Sequence, residues 1–154
     1  MDATPDALAR EVLDVVPMIM RTIRTEMRSR RSADLTVPQF RALMFLNRNP
    51  GASLQDLAAH LGLTSPTVCK MVDGLVSARL VARESSSTDR RKLTLELTSQ
   101  GLVILERARS GTQARLTEIL SDLDQEERRA MLEGMQRLQS LFFTAQQRES
   151  ELGR

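Results

Sequence analysis

Residues 80–101 contain two short runs of alternating apolar and polar side chains with a polar segment between them. Alternation with a period of two is typical of β-strands that are buried on one face, and two such runs joined by a short polar connection are typical of a hairpin. The connection is rich in serine and ends in Asp89, Arg90 and Arg91. The sequence therefore predicts a β-hairpin whose tip carries two guanidinium groups.

Two short helices joined by a tight turn are predicted directly before this hairpin. A capping pattern from Ser53 to Asp56 opens the first helix, Gly62 allows the turn, and Thr64 caps the second helix, which we expect to run to about Ala78. Two helices with a glycine-containing turn are typical of a helix-turn-helix, and an ordinary helical hairpin is the alternative. The hairpin with arginines at its tip favours the helix-turn-helix, with the hairpin as its wing.

Amphipathic helical patterns occupy the sequence on both sides of this region. Apolar residues recur at three- and four-residue spacing over residues 8–27, and a capping pattern at Thr36 opens a further helix. Pro17 lies inside the first pattern and predicts a kink or a break there. Helical spacing resumes after Thr98, and a last apolar stripe covers residues 131–145.

These patterns predict a mostly α fold with a small β-hairpin wing, a winged helix-turn-helix with dimerisation helices at both ends. The expected segments are an N-terminal dimerisation helix (1–35), the winged DNA-binding domain (36–100) and C-terminal dimerisation helices (101–154). A single winged domain cannot cover the apolar stripes at both ends, so we expect a second copy to bury them in a homodimer. A larger monomeric core is the alternative.

Charge is small overall and unevenly distributed. The formal net charge is +2, but residues 36–98 carry eight basic and five acidic side chains, whereas the two ends together carry 14 basic and 15 acidic ones. A difference of this size also arises by chance, so it counts only beside the two motifs. Together they favour binding to duplex DNA, with a helix in the major groove and the hairpin arginines in the minor groove.

The side chains present disfavour several other classes of protein. One cysteine and one histidine are too few for a Cys/His metal site or an internal disulfide, and no grouping of His, Cys, Ser and carboxylates suggests catalysis. We therefore expect no catalytic residue, metal or cofactor. Acidic residues interrupt every apolar run near the N-terminus, so we expect no signal peptide, no membrane span and a cytoplasmic location.

Three stretches of the sequence resemble the MarR family of transcriptional regulators. They are Ser53-Leu-Gln-Asp-Leu-Ala58, Val72-Asp-Gly-Leu-Val76 and Asp89-Arg-Arg-Lys-Leu-Thr-Leu-Glu-Leu-Thr-Ser-Gln-Gly101. The resemblance extends over the whole chain, and the Asp-x-Arg pattern of the hairpin is its most specific part. It implies a winged-helix homodimer, held by its end helices, that binds a palindromic operator. Such proteins usually repress a nearby gene until a small molecule or an oxidant releases them.

A helical wheel of residues 65–79 predicts which side of the second helix is available to DNA. The side expected to face the core comprises Val68, Val72, Leu75 and Val76, and the opposite side comprises Pro66, Thr67, Lys70, Gly74 and Ser77. We expect Lys70 to contact a guanine edge or a phosphate, Thr67 a base or a thymine methyl, and Ser65 a phosphate. A solvated surface position is the alternative for each of them, and for Pro66.

The hairpin tip supplies the other candidate contacts. Arg91 matches the family's arginine that enters the minor groove, and we expect Arg90 to lie beside it. A carboxylate repels phosphate, so we expect Asp89 to orient Arg91 through an ion pair rather than to touch DNA. A turn residue that bonds its own backbone is a compatible alternative for Asp89.

Cys69, His60 and three arginines are the other residues with functional potential. Cys69 falls at the border of the inward side, so we expect a packing residue rather than a redox switch, and we expect His60 to be an exposed helix residue. The effector and its pocket are not marked in the sequence. An anionic ligand could meet arginines on the first helix, which are otherwise surface charges (Arg21, Arg24 and Arg28). The alternative to DNA binding is a winged-helix protein-interaction module, which need not keep a basic hairpin tip.

Overall fold

A computed structural model of the chain describes residues 3–29, 35–85 and 93–152. These residues form a mostly helical fold with a small antiparallel sheet, as the sequence predicts. The elements are α1 (Pro5–Ser29), α2 (Val37–Arg48), β1 (Ala52–Ser53), α3 (Leu54–Leu61), α4 (Ser65–Ser77), β2 (Val81–Ser85), β3 (Leu93–Leu97), α5 (Ser99–Leu120) and α6 (Gln125–Leu152). In the part of the chain so described, no helix combines the length and the hydropathy that crossing a membrane requires.

Side-chain caps begin the helices at the predicted residues. The Thr36 N–H donates to Oε1 of Gln39 at 2.9 Å and the Gln39 N–H donates to Oγ1 of Thr36 at 3.3 Å, which is a complete capping box for α2. Ser53 and Asp56 make the same reciprocal pair for α3, with both bonds at 3.1 Å. Oγ1 of Thr98 accepts the Gly101 N–H at 2.9 Å and caps α5. The predicted starts of these helices are confirmed.

The predicted hairpin belongs to a three-stranded sheet. Strands β2 and β3 pair antiparallel, with Val81 opposite Leu97, which confirms the hairpin. Strand β1 pairs with the other edge of β3, with Ala52 opposite Leu95, so the strand order is β1-β3-β2. The sequence does not predict β1, because two residues are too few to show an alternating pattern.

Helix α1 continues through Pro17, so of the two predicted alternatives the break does not occur, and the kink stays a prediction. Proline removes the helical bond to the carbonyl four residues earlier, here that of Leu13. Leu13 is 73% exposed, and Pro17 is also exposed, so water can bond the freed carbonyl. The helix therefore tolerates the proline at its outer surface.

The chain divides into two compact units, Met1–Ala114 and Arg115–Arg154. The first unit contains the hydrophobic core, to which α2, α3, α4, α5 and the sheet contribute. Its largest fully buried side chains are Leu43, Leu46, Leu57, Val68, Val72, Leu75, Val81, Leu95 and Leu105. From α1 only Met27, near the end of the helix, is buried. The core therefore joins α4 and the described strands of the hairpin within one unit.

Gly101 allows the start of α5 to approach the segment that joins α4 to β2. A Cβ atom at this position would lie 2.1 Å from the carbonyl oxygen of Leu80, which is closer than real atoms approach. The Thr98 N–H also donates to this Leu80 oxygen, at 3.1 Å. The joint between α4 and the hairpin is thus fixed against the helix that follows.

Helices α1 and α6 leave most of their apolar side chains exposed. In the second unit, a capping box between Asp124 and Glu127 begins α6, with bonds of 2.8 and 2.9 Å, and α6 has no buried residue among those described. The large exposed apolar residues are Leu8, Leu13, Val16, Met18 and Ile19 on α1, and Met131, Leu132, Met135, Leu141, Phe142, Phe143 and Leu152 on α6. Each unit therefore has uncovered apolar surface.

Candidate nucleic-acid interface

Helix α4 begins at a cap that involves one of the candidate DNA contacts. Thr64 is the N-cap, and its Oγ1 accepts the Thr67 N–H at 3.4 Å and lies 2.8 Å from the Thr67 hydroxyl. Pro66 occupies the first turn, where a helical residue needs no N–H partner. Because the Thr67 hydroxyl already bonds Thr64, the methyl group of Thr67 is the part left free of the cap. Ser65 is exposed at the same end of the helix.

The two sides of α4 differ as the helical wheel predicts. Val68, Val72 and Leu75 are buried, with at most 1% exposure, and Val76 is partly buried against the core. The opposite side is exposed along the whole helix, at Pro66, Thr67, Lys70, Gly74 and Ser77. No neighbouring backbone or side chain lies within 4 Å of a Cβ built on Gly74, so this glycine leaves open space over the helix. The predicted orientation of α4 is confirmed.

Lys70 is the cation at the middle of this exposed side. Within the described residues it takes part in no hydrogen bond or ion pair. Asp73 also lies on α4, but its carboxylate pairs with Arg83 of β2. The ammonium of Lys70 is therefore available to an anion from outside the described chain.

The ion pair between Asp73 and Arg83 joins α4 to the hairpin. The guanidinium group is one-third exposed and the carboxylate is more exposed, so water screens the attraction and its contribution to stability is small. The pair connects the first strand of the hairpin to the helix. The sequence does not indicate this pair, because a spacing of ten residues across a helix end has no periodic pattern.

Arg79 follows the C-cap of α4, Ala78, and has a left-handed conformation with φ of 60°. The Arg79 N–H donates to the carbonyl of Val76 and the Leu80 N–H donates to that of Leu75, both at 2.9 Å. This pair of bonds defines a Schellman motif, whose left-handed residue is usually glycine. An arginine there costs roughly 1–2 kcal/mol in backbone strain. The sequence pattern gives no sign of this conformation.

Cys69 is exposed, so the expectation that it packs into the core is wrong. The buried side of α4 is centred on Val68, Val72 and Leu75. With about 100° between successive residues, Cys69 points roughly a quarter turn away from that centre. The thiol therefore lies on the solvent side of α4, next to Lys70 in sequence.

His60 is exposed, as predicted, but its ring is not isolated. The imidazole stacks on Phe45 of α2, with ring centroids 4.5 Å apart, and the His60 carbonyl accepts a bond of 3.4 Å from Arg41. Partial burial of the ring, together with the positive charges of Arg41 and Arg48, lowers the pKa of His60 below its usual 6.5. The end of α3 thus carries an imidazole whose protonation is disfavoured by partial burial and by two arginines of α2.

The sequence also predicts functional roles for three residues of the hairpin tip and for three arginines of α1. Asp89, Arg90 and Arg91 lie outside the described residues. The arginines of α1 that could meet an anionic ligand are exposed, and Nε of Arg24 donates to the Met20 carbonyl at 3.2 Å. No cluster of His, Cys, Asp and Glu suited to a metal ion occurs among residues 3–29, 35–85 and 93–152.

Comparison with known proteins gives matches in both sequence and structure. The sequence model of the MarR family matches residues 33–92. The HTH-type transcriptional repressor Mb2911 of Mycobacterium bovis is 33% identical over 102 residues, which is 64% of this chain and 73% of the relative. The crystal structure of RV1404 from Mycobacterium tuberculosis has a TM-score of 0.77 at 23% identity, covering 92% of this chain and 95% of that one.

A third match is the structure of a mutant of S. aureus MepR bound to an oligodeoxyribonucleotide. Its TM-score is 0.60 at 22% identity, over 92% of this chain and 99% of that chain. The structural matches establish the winged-helix fold, and the identity and coverage of the Mycobacterium bovis repressor establish the family. The chain belongs to the MarR family of transcriptional regulators.

Proposed function

We propose that this chain represses transcription by binding a palindromic DNA operator as a homodimer. The observation that carries the proposal is the exposed side of α4, where Lys70 has no partner within the described residues. The opposite side of α4 is buried and anchors the helix in the core. A rigid helix with a free cation and small polar residues suits the major groove, where such side chains read base edges. The structure of the MepR mutant bound to an oligodeoxyribonucleotide supports this assignment.

The proposed contacts divide between the two grooves. Ser65 and Lys70 contact phosphates or a guanine edge, and Thr67 offers its methyl group to a thymine. Arg90 and Arg91 enter the minor groove at the hairpin, with Asp89 orienting Arg91. The ion pair between α4 and β2 supports this division, because it links the first strand of the hairpin to the helix.

The proposed homodimer uses the apolar surfaces of α1 and α6. These two helices expose five and seven large apolar side chains, respectively. Burying such surface against a second copy is the usual reason for a symmetric dimer, and two copies supply the two half-sites of a palindrome. The chain then acts in the cytoplasm, with duplex DNA and itself as partners.

Release from DNA is the remaining part of the proposal. We propose that the protein leaves its operator when it binds a small-molecule effector, for example an anionic aromatic compound, or when it is oxidised. The exposed thiol of Cys69 supports the oxidative route, because adding oxygen to sulfur on the DNA-facing helix would add bulk and polarity there.

A mobility-shift assay tests the DNA-binding function. The full chain is titrated into a labelled duplex that carries the DNA flanking its own gene, in the presence of excess unrelated duplex. We expect a shifted complex that survives the competitor. No shift, or a shift that the competitor removes at equal concentration, would favour the protein-interaction module instead.

A further inference from the structure

Asp73 lies on the same exposed side of α4 as Lys70. The two residues are three positions apart, so their side chains project from adjacent turns of the helix, about 60° apart around its axis. Both are exposed, and the buried side of the helix, centred on Val68, Val72 and Leu75, is turned away from them. The surface that we propose for the major groove therefore carries an acid as well as a cation.

The carboxylate of Asp73 is paired through one oxygen and open at the other. Its Oδ1 accepts from the Arg83 guanidinium of β2, and its Oδ2 takes part in no hydrogen bond or ion pair within residues 3–29, 35–85 and 93–152. The Asp73 side chain is 57% exposed. The positive charge of Arg83 thus offsets that of the carboxylate, and one carboxylate oxygen stays free to accept a hydrogen bond from outside the described chain.

An acid on a DNA-binding surface needs a hydrogen-bond donor on the DNA. Phosphate oxygens are negatively charged acceptors, so the duplex attracts a carboxylate only where a base exposes an amino group. In the major groove these amino groups are N4 of cytosine and N6 of adenine. Adenine also presents the acceptor N7 beside its amino group, which repels a carboxylate, whereas cytosine presents only the donor. Cytosine is therefore the better match for the free oxygen of Asp73.

We propose that Asp73 reads a cytosine in each half-site of the operator, by accepting a hydrogen bond from the N4 amino group. The inference rests on the proposed function, which assigns the exposed side of α4 to the major groove. Lys70 donates to acceptors of a base or a phosphate one turn away, so the two residues present opposite hydrogen-bonding characters to the DNA. Arg83 is a positioning residue that acts through Asp73 by offsetting its charge.

Selection of bound duplexes from a randomised library measures the base preference at every position of the site. We expect the wild type to enrich cytosine at one position of each half-site. Asp73→Ala should lose the preference at that position alone. Asp73→Asn should exchange it for adenine, because a side-chain amide pairs with N6 and N7 of adenine. In titrations of two duplexes that differ only at this base pair, the wild type should prefer cytosine roughly tenfold and Asp73→Ala should bind both equally.

Two control variants separate base reading from a structural role of the ion pair. Arg83→Gln breaks the same pair but keeps the carboxylate, so it should weaken binding to all duplexes and retain the preference for cytosine. Glu84→Gln removes an exposed acid from β2 and should also retain the preference. The Asp73 pair is exposed and contributes little stability, so these variants should all stay folded, which circular dichroism checks.

Three results would contradict the role of Asp73 and leave the proposed function intact. They are a selected site with no preferred cytosine, wild-type base preferences in both Asp73 variants, and the same loss of preference in Arg83→Gln as in Asp73→Ala. A wild-type chain that enriches no sequence at all would overturn both this inference and the proposed function.

Discussion

Arg91 and Asp89 have different proposed roles, so their substitutions should differ in cost. Arg91→Ala removes a minor-groove contact, and we expect binding to weaken by about 1–3 kcal/mol per site, the range of a good direct contact. Asp89→Asn should cost less, because it only loosens the orientation of Arg91. Fluorescence anisotropy titrations at fixed salt measure both effects. Equal or reversed effects would contradict the assigned roles. An Arg91→Ala variant with wild-type affinity would show that Arg91 does not contact the minor groove.

A second prediction at the residue scale concerns His60 and the dependence of stability on pH. Its pKa is lowered in the folded chain by partial burial and by Arg41 and Arg48, so the unfolded chain binds the proton more readily. The His60 contribution to stability is therefore complete above pH 6.5 and is lost as the pH falls below that value. Urea unfolding across the range from about pH 7.5 to about pH 5.5 should show a smaller loss of stability in His60→Gln than in the wild type. An identical loss in both proteins would show that the imidazole is not responsible.

At the scale of secondary-structure elements, Gly101 controls how α5 meets the joint between α4 and β2. Gly101→Ala places a methyl group against the Leu80 carbonyl, so the backbone must shift, and we expect a loss of roughly 1–3 kcal/mol in the free energy of unfolding. Gly74→Ala is the matched control on α4, where no atom lies within 4 Å of the new methyl group. It should be stabilising by about 0.5–1 kcal/mol. Urea denaturation of both variants checks the difference, and a neutral Gly101→Ala would refute the close approach.

The elements that sequence analysis predicted correctly are those set by local signals. The capping boxes at Thr36 and Ser53 and the apolar side of α4 depend on residues only a few positions apart. Features that depend on contacts between elements were missed: the two-residue strand β1, the pairing of Asp73 with Arg83, and the left-handed Arg79. The wheel also failed for Cys69, because a border position is decided by packing around the helix rather than by the helix itself.

The candidate site divides in the same way. The exposed residues of α4 could be named from helical spacing, because one side of a helix must be apolar to join a core. The roles of Asp89, Arg90 and Arg91 depend on a resemblance and on charge, and they stay predictions. The availability of Lys70 could not be predicted, since it depends on Asp73 being paired with a residue ten positions away.

For the whole molecule, the uncovered apolar residues of α1 and α6 predict a homodimer. Light scattering at micromolar concentration should give about twice the chain mass of 17.3 kDa. Phe142→Glu places a charge within the apolar stripe of α6 and should shift the mass toward the monomer. Ser140→Glu adds the same charge on another side of the helix and should leave the dimer intact. A monomeric wild type would contradict both the dimer and the model of two half-sites.

The salt dependence of operator binding is the most direct test of the central claim, which is that this chain binds duplex DNA through α4. Affinity of the wild type, Lys70→Ala and the charge-matched control Arg107→Gln is measured by anisotropy over a series of salt concentrations. We predict that wild-type affinity falls steeply as the salt concentration rises. Lys70→Ala should reduce the slope of log affinity against log salt by about 0.9 for each phosphate that Lys70 neutralises. Arg107→Gln should keep the wild-type slope. A wild-type affinity that does not change with salt, or a Lys70→Ala variant whose affinity and slope both equal those of the control, would contradict the assignment of α4 to DNA.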